Sequence, residues 1–403
     1  MNTVELGTEK FALDRAGRPA MLTALVVGVA GLALAAFGGM SGEAAARTRF
    51  FHAYLVAFMF FLSLALGALF FVLMAHLTRA GWSVTVRRVA EVVAASVAVL
   101  AVLALPILLW GMDALYPWVT AEHDHLVDLK RPYLNVGFFW VRVVGYFVVW
   151  TLIAWLFLGR SRRQDASGDP RLTRTLEVAS APLTIVFALT VTYASFDFLM
   201  SLYPHWFSTI FGVYFFAGCF LGFLSFAVLL LMLIQRLGAL RRVVSTEHFH
   251  DLGKLQFAFV VFWAYIAFSQ FMLIWYGNLP EETIWYQRRV TGGWLSVSLL
   301  LLFGHFVAPF LGLLSRAAKR RPGALVGFAA WLLVMHWCDI YWLVMPERGH
   351  GAHRGPEFGV ADLSLFLLLG GALAAFTVRR LSRFSVVPEG DPRLAESLAF
   401  ENV

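Results

Sequence analysis

Apolar residues in this chain run in blocks about 20 long, separated by short turns in which the charged residues collect. Blocks of that length suit a hydrocarbon layer of about 30 Å, which a helix crosses at about 1.5 Å per residue. Ten of them fall near 21–40, 51–77, 89–111, 135–158, 177–200, 208–235, 255–277, 290–315, 323–345 and 360–378. The pattern predicts an all-α integral membrane protein of about ten transmembrane helices over residues 21–381. Polar tails are expected at 1–20 and 382–403. The first block, with Ala44-Ala45-Ala46 beyond it, has the outline of a secretory signal; nine blocks follow, so it reads as an uncleaved anchor.

The turns alternate in charge, and that sets an orientation. One side collects Lys10, Arg15 and Arg18, then the arginines at 79–88, 160–174 and 236–242, Lys254, the 316–321 cluster and the C-terminal arginines. That is about 23 of the 32 basic residues. The other side holds Arg47, Arg49, Lys130, Arg131, Arg288, Arg289, Arg348 and Arg354. By the positive-inside rule both termini are cytoplasmic. The excess of 32 basic over 25 acidic residues therefore points to topology, not nucleic acid. Composition agrees: 60% of positions are hydrophobic and 14% charged, against about a quarter charged in soluble domains.

The fifth and ninth blocks echo one another, each with an aspartate seven residues before a proline (Asp197 and Pro204, Asp339 and Pro346). The second and sixth share a Tyr–Phe–Leu–Ser character. Both comparisons step by four helices, which preserves orientation. The expectation is two parallel four-helix bundles, about 51–200 and 208–346, with peripheral helices outside them.

Polar residues inside the blocks are the candidate chemistry. Asp113, Asp197 and Asp339 close three blocks at similar outer depth, where a carboxylate costs roughly 3 kcal/mol unless something offsets it. His336 and Asp339 are three apart, and Tyr193 and Asp197 four apart, so each pair should share a helical face. Arg142 lies deep enough to need a counter-charge. His305 and His336 fall near mid-membrane, with Gln270 on the seventh block and Glu91 and His76 toward the cytoplasm. Together these ten residues form a candidate proton path. The structural alternative is that Arg142 pairs with an aspartate as glue, and that residues near block ends snorkel to water.

Other chemistries find little purchase. No glycine-rich phosphate loop opens a helix. Cys219 and Cys338 lie in apolar runs and cannot supply an iron–sulfur cluster. His305 and His336 are offset along their helices, which disfavours a haem between them. Glu122-His123-Asp124-His125 reads as a solvated outer loop, and no metal site is expected.

Three segments are long and specific. They are Tyr193-Ala-Ser-Phe-Asp-Phe-Leu-Met-Ser-Leu-Tyr-Pro-His-Trp-Phe-Ser-Thr-Ile-Phe-Gly-Val-Tyr214, Phe268-Ser-Gln-Phe-Met-Leu-Ile-Trp-Tyr-Gly-Asn-Leu-Pro-Glu-Glu-Thr-Ile-Trp-Tyr-Gln-Arg-Arg289, and Lys130-Arg-Pro-Tyr-Leu-Asn135 leading into Phe138-Phe-Trp-Val-Arg142. They resemble the NrfD/PsrC-like membrane subunits of bacterial alternative complex III, a quinol:cytochrome c oxidoreductase. The likeness covers nearly all of the chain and is greater to the second of the two such subunits.

That resemblance implies a respiratory-chain subunit without a redox centre of its own. Haem c and iron–sulfur clusters would sit on partner subunits, alongside a paralogous NrfD-like subunit and, in some assemblies, a terminal oxidase. Quinol or quinone belongs to the complex; which of the two NrfD-like subunits hosts it stays open. The expected role is support of quinol oxidation with proton conduction through the intramembrane polar residues. A proton-coupled secondary transporter and a purely structural anchor are the alternatives.

The topology is directly testable. Reporter fusions after Arg163 and Arg321 should register as cytoplasmic, and fusions near Glu122 and Glu282 as external; the reverse pattern would overturn the orientation.

Overall fold

The structure is a computed structural model that describes residues 17–33, 44–348 and 355–402. Among these residues nine helices are long and apolar enough to cross a membrane. They are α2 (Ala44–Leu77), α3 (Gly81–Leu115), α4 (Val136–Ser167), α5 (Pro170–Leu202), α6 (Phe211–Arg236), α7 (Thr246–Gly277), α8 (Trp294–Leu314), α9 (Pro322–Glu347) and α10 (Val360–Leu381). The tenth expected span corresponds to a shorter apolar helix, α1 (Gly17–Ala33); positions 34–40 lie outside the described residues, as do Lys10, Arg15 and Arg354. No strand occurs among the described residues, so the chain is an all-α membrane protein.

Several helices outrun their apolar blocks, because each continues until a capping group ends it. α4 runs on past Arg160–Arg163 to Gly168, whose φ of 63° is the left-handed conformation that closes a helix. Asp169 then caps α5, accepting from Arg171 N, and Pro170 takes the first helical position. Ser245 caps α7 in the same way, and Asn278, with φ 48°, ends it ahead of Pro280.

α2 lies at the centre: 89% of its apolar window is buried, against 28% for α7 and α8. It packs on α3, α5, α6, α9 and α10, while α6 packs on α5, α7 and α9. The α2–α6 contact is one of backbone on backbone. A Cβ at Gly67 would stand 2.2 Å from Cys219 O and 2.6 Å from Phe223 Cβ, so only glycine lets these helices meet. α3 packs against α4 and α4 against α5 on one flank; α7 packs on α8, and both on α9, on the other.

The C-terminal residues 385–402 lie across one face of the bundle; it is labelled inner, and the opposite face outer, after the orientation that the turn charges lead one to expect. Asp391 pairs with Arg87 of α3 at 2.5 Å. Arg87 and Arg88 share Glu91, and Arg88 reaches Asp165 of α4 at 2.8 Å. The Ser397 hydroxyl donates to Trp82 O at 2.7 Å, and its oxygen lies 3.1 Å from Thr85 Oγ1 and 3.4 Å from His248 Nε2 of α7. Asn402 meets Lys254 at 2.9 Å. The tail thus ties α3 and α4 to α7.

Removing Asp391 strips a buried guanidinium of one carboxylate while Glu91 remains, a loss of about 1–3 kcal/mol. Asp391→Ala should therefore lower the thermal midpoint of the purified protein by several degrees, while exposed Glu401→Gln leaves it unchanged. Equal midpoints for the two variants would show that the tail is not a fastening.

Candidate functional site

His336 and Asp339 sit on the buried face of α9, one helical turn apart. Two helices supply the donors to Asp339. The Tyr214 hydroxyl of α6 donates to Oδ1, and Trp263 Nε1 of α7 donates to Oδ2 at 3.2 Å. Both donors are neutral. Among the described residues no arginine or lysine pairs with Asp339.

His336 is held on its other side by α2. Its Nε2 lies 2.7 Å from Ser63 Oγ, and the Ser63 hydroxyl donates to Phe60 O at 2.6 Å. Ser63 has one hydroxyl hydrogen, so His336 is the Nε2–H donor of that pair. Nδ1 is then a buried lone pair without a hydrogen-bond partner. Glycines make room for the ring: a Cβ at Gly222 would come within 2.7 Å of His336 Cδ2, and one at Gly218 within 3.1 Å of Cε1.

His305 completes the centre. It is fully buried, its ring centroid 4.1 Å from that of Trp263, and neither ring nitrogen has a partner. It sits in a π-helical stretch, Leu301–Val307, of the wide-turn kind often found at functional sites. Trp331 Nε1 donates to Gly304 O at 2.7 Å in that stretch. Three imidazole nitrogens on two helices are therefore without partners, one a helical turn from Asp339 and two against Trp263, the indole that donates to Asp339.

Asp197 has a different environment. Arg142 holds it with two bonds, Nε to Oδ2 at 2.9 Å and Nη2 to Oδ1 at 2.8 Å, and the Tyr146 hydroxyl adds a third at 2.8 Å. The guanidinium also donates to Tyr133 O at 2.8 Å and stacks 3.8 Å from the Tyr133 ring. Sequence reasoning puts Asp197 and Asp339 in one class; their surroundings separate them into a neutralised ion pair and a carboxyl with neutral donors only.

The remaining candidates scatter. Asp113 pairs with Arg47 at 2.8 Å, with both side chains about half exposed, so it lies at the surface. Tyr193 is 46% exposed while Asp197 is fully buried, so the pair shares a helical side, as their spacing implies, without Tyr193 entering the core. Gln270 is buried, accepting from Ser208 Oγ at 3.1 Å and donating to the Tyr286 hydroxyl at 3.2 Å. Glu91 belongs to the arginine cluster under the tail. His76 bonds Val72 O at 2.8 Å, and the α2 residues between it and Ser63 are all apolar, so nothing on α2 joins it to His336.

Polar side chains are spaced through the molecule along α7, in separate contacts. Gln256, Trp263 and Gln270 recur every seven residues on its buried face. Gln256 Nε2 donates to Ser225 Oγ at 2.9 Å on the inner side, Trp263 serves Asp339, and Gln270 meets Ser208 and Tyr286 on the outer side. Of these three, sequence reasoning picks out only Gln270; the seven-residue repeat was the available signal.

On the outer face the short helix Pro280–Arg288 brings Arg288 and Arg289 to Glu347, at 2.7 and 2.9 Å. Burial pulls the Arg289 guanidinium down to about 10, against the opposing effect of Glu347. Beside them a cavity of about 580 Å³ is lined by Asp113, Asp124, Tyr203, His205, Arg288 and Glu347. Asp124 caps the helix His125–Lys130 and pairs with His205 at 2.7 Å. No trio of His, Cys, Asp or Glu among the described residues is placed to hold a metal.

The contrast between the two aspartates is measurable. Asp197→Asn leaves Arg142 buried without its counter-charge and should cost about 3–5 kcal/mol of stability. Asp339→Asn strands no cation and should cost about 1 kcal/mol or less. Thermal unfolding of both variants in detergent gives the ranking, and a larger loss for Asp339→Asn would overturn it. No protein-family model matches the chain, and no curated protein matches it.

Proposed function

We propose that this chain is a membrane subunit of a quinol:cytochrome c (or oxidase) oxidoreductase, the second NrfD/PsrC-like subunit known as ActF, and that its Asp339–His336 centre handles protons. The observation that carries the reading is Asp339 itself. It is a buried carboxyl group with two neutral donors and no cation, so no counter-charge fixes it as a carboxylate. His336 offers a free nitrogen one turn away, and His305 two more on the neighbouring helix.

Oxidation of a quinol releases two electrons and two protons. In this reading the electrons pass to iron–sulfur and c-type haem centres of partner subunits. This chain moves protons: Asp339 takes and gives one, and His336 and His305 extend its reach. Asp197 holds α5 to α4 as a structural pair.

A proton-coupled carrier is the competing class. Carriers of the rocking type move one helix bundle against another. Here Gly67 locks α2 to α6 at backbone contact, and the tail fastens α3 and α4 to α7 across the inner face. Both features favour a rigid path over a rocking one.

Purification from the native membrane should bring this chain down with haem- and cluster-bearing partners, where a carrier would come alone. Within that complex Asp339→Asn should leave assembly intact and lower quinol oxidation or its coupled proton movement by roughly tenfold or more. Full turnover and proton release in an assembled Asp339→Asn complex would leave only the anchoring role.

A further inference from the structure

His336, Asp339, Leu343 and Glu347 step along one face of α9 at helical spacing. The first two form the buried centre. The other two are clasped by a single side chain, Arg289, which is fully buried. Its Nη2 donates to Leu343 O at 3.0 Å and its Nη1 to Glu347 Oε1 at 2.9 Å. Arg289 therefore grips the turn of α9 from Leu343 to Glu347, a rise of about 6 Å, and one further turn separates that grip from Asp339. The Trp285 ring, 3.4 Å away, and the Trp285 carbonyl, at 2.9 Å, fix it from behind.

Glu347 faces two ways. One oxygen touches Arg289; the other takes Arg288 Nη1 at 2.7 Å. The Arg288 side chain is 23% exposed, stacks 4.2 Å from the Tyr203 ring, and lines the outer cavity together with Glu347. The cavity wall also carries the titratable groups of His52, Asp113, Asp124, Tyr203 and His205, and Tyr286 stands beside Gln270 on the buried side. The carboxylate thus joins a fully buried guanidinium to an open, polar space.

We propose that Glu347 is the outer proton-exchange residue of this protein, linking the buried Asp339–His336 centre to the outer cavity, with Arg289 as the positioning residue that holds it in line. The proposal rests on the proton-handling reading of Asp339. The step moves one proton and no electron. The Asp339 carboxylic acid becomes a carboxylate while the Glu347 carboxylate becomes the acid, and Glu347 then returns to carboxylate by releasing that proton to water in the cavity. Both carboxylate oxygens are held by guanidinium groups, so Arg288 must swing into the cavity to free the oxygen that takes the proton. Its partial exposure makes it the cation free to do so.

The test uses the full chain in detergent and the infrared carbonyl band of protonated Asp339, identified by its loss in Asp339→Asn. On a switch from H₂O to D₂O the band shifts at the rate at which the buried proton exchanges. Glu347→Gln should slow that shift at least tenfold, and Glu347→Asp should restore it to within about threefold. Arg288→Gln, which leaves Glu347 with one cation, should not slow it. A folded Glu347→Gln protein exchanging at the wild-type rate overturns the proposal, as does equal slowing by Arg288→Gln, which would mark mere disturbance of the triad. If Glu347→Gln does not fold, Glu347→Asp exchanging more than tenfold slower than wild type overturns it as well. Absence of an Asp339 band in the wild type would instead sink the reading of Asp339 on which the proposal stands.

Discussion

A charge buried between these helices has no water to answer it, so another group of the same chain must. How each charge is answered sorts the polar residues of this protein into kinds. Arg142 answers Asp197 with two parallel bonds, and Arg87 and Arg88 answer Glu91 with Asp165 and Asp391 alongside. These clusters are closed: each carboxylate meets a guanidinium, and each ties helices together. Of the three aspartates that close apolar blocks, Asp339 alone is met by a phenol and an indole. Those donors orient a carboxyl group without fixing its charge, which is the property a proton-exchanging group requires.

The surrounding packing keeps that arrangement in place. Tyr214, Trp263, His305, His336 and Ser63 come from five different helices, and their geometry depends on α6 lying close to both α2 and α9. Glycine provides the closeness: Gly67 admits the α6 backbone, and Gly218 and Gly222 admit the His336 ring. A methyl group at Gly67 would push α2 and α6 apart, and one at Gly222 or Gly218 would press on the His336 ring. Within this core two imidazoles, His336 and His305, keep ring nitrogens without a hydrogen-bond partner.

Much of the fold was legible in the sequence. Block length, turn charge and the proline and aspartate punctuation give an all-α membrane chain with span positions close to those observed. Span ends were less legible, because an apolar window stops at the first arginine whereas the helix stops at its cap, as at Gly168 and Asn278. Within the site, the His336–Asp339 spacing gave two buried neighbours and the Tyr193–Asp197 spacing did not, since a shared helical side brings both residues into the core only if both point inward. What the sequence could not separate was Asp197 from Asp339. Each precedes a proline by seven residues; only the partner helix, with an arginine in one case and a tryptophan in the other, tells them apart.

That difference gives the two halves of the molecule unequal roles. If the four-helix echo reflects a duplication, one copy has kept its aspartate neutralised and become the fastening, while the other has left it open. The polar side chains spaced along α7 belong to the open copy. Toward the outer face it has Gln270, Tyr286, Arg289 and Glu347 in succession, ending at a cavity with charged walls. Toward the inner face it thins to Ser225 and Gln256, below which the tail crosses the helix ends. The polar side chains are thus denser on the cavity side of Asp339 than on the tail side, an asymmetry that follows from which helices supply them.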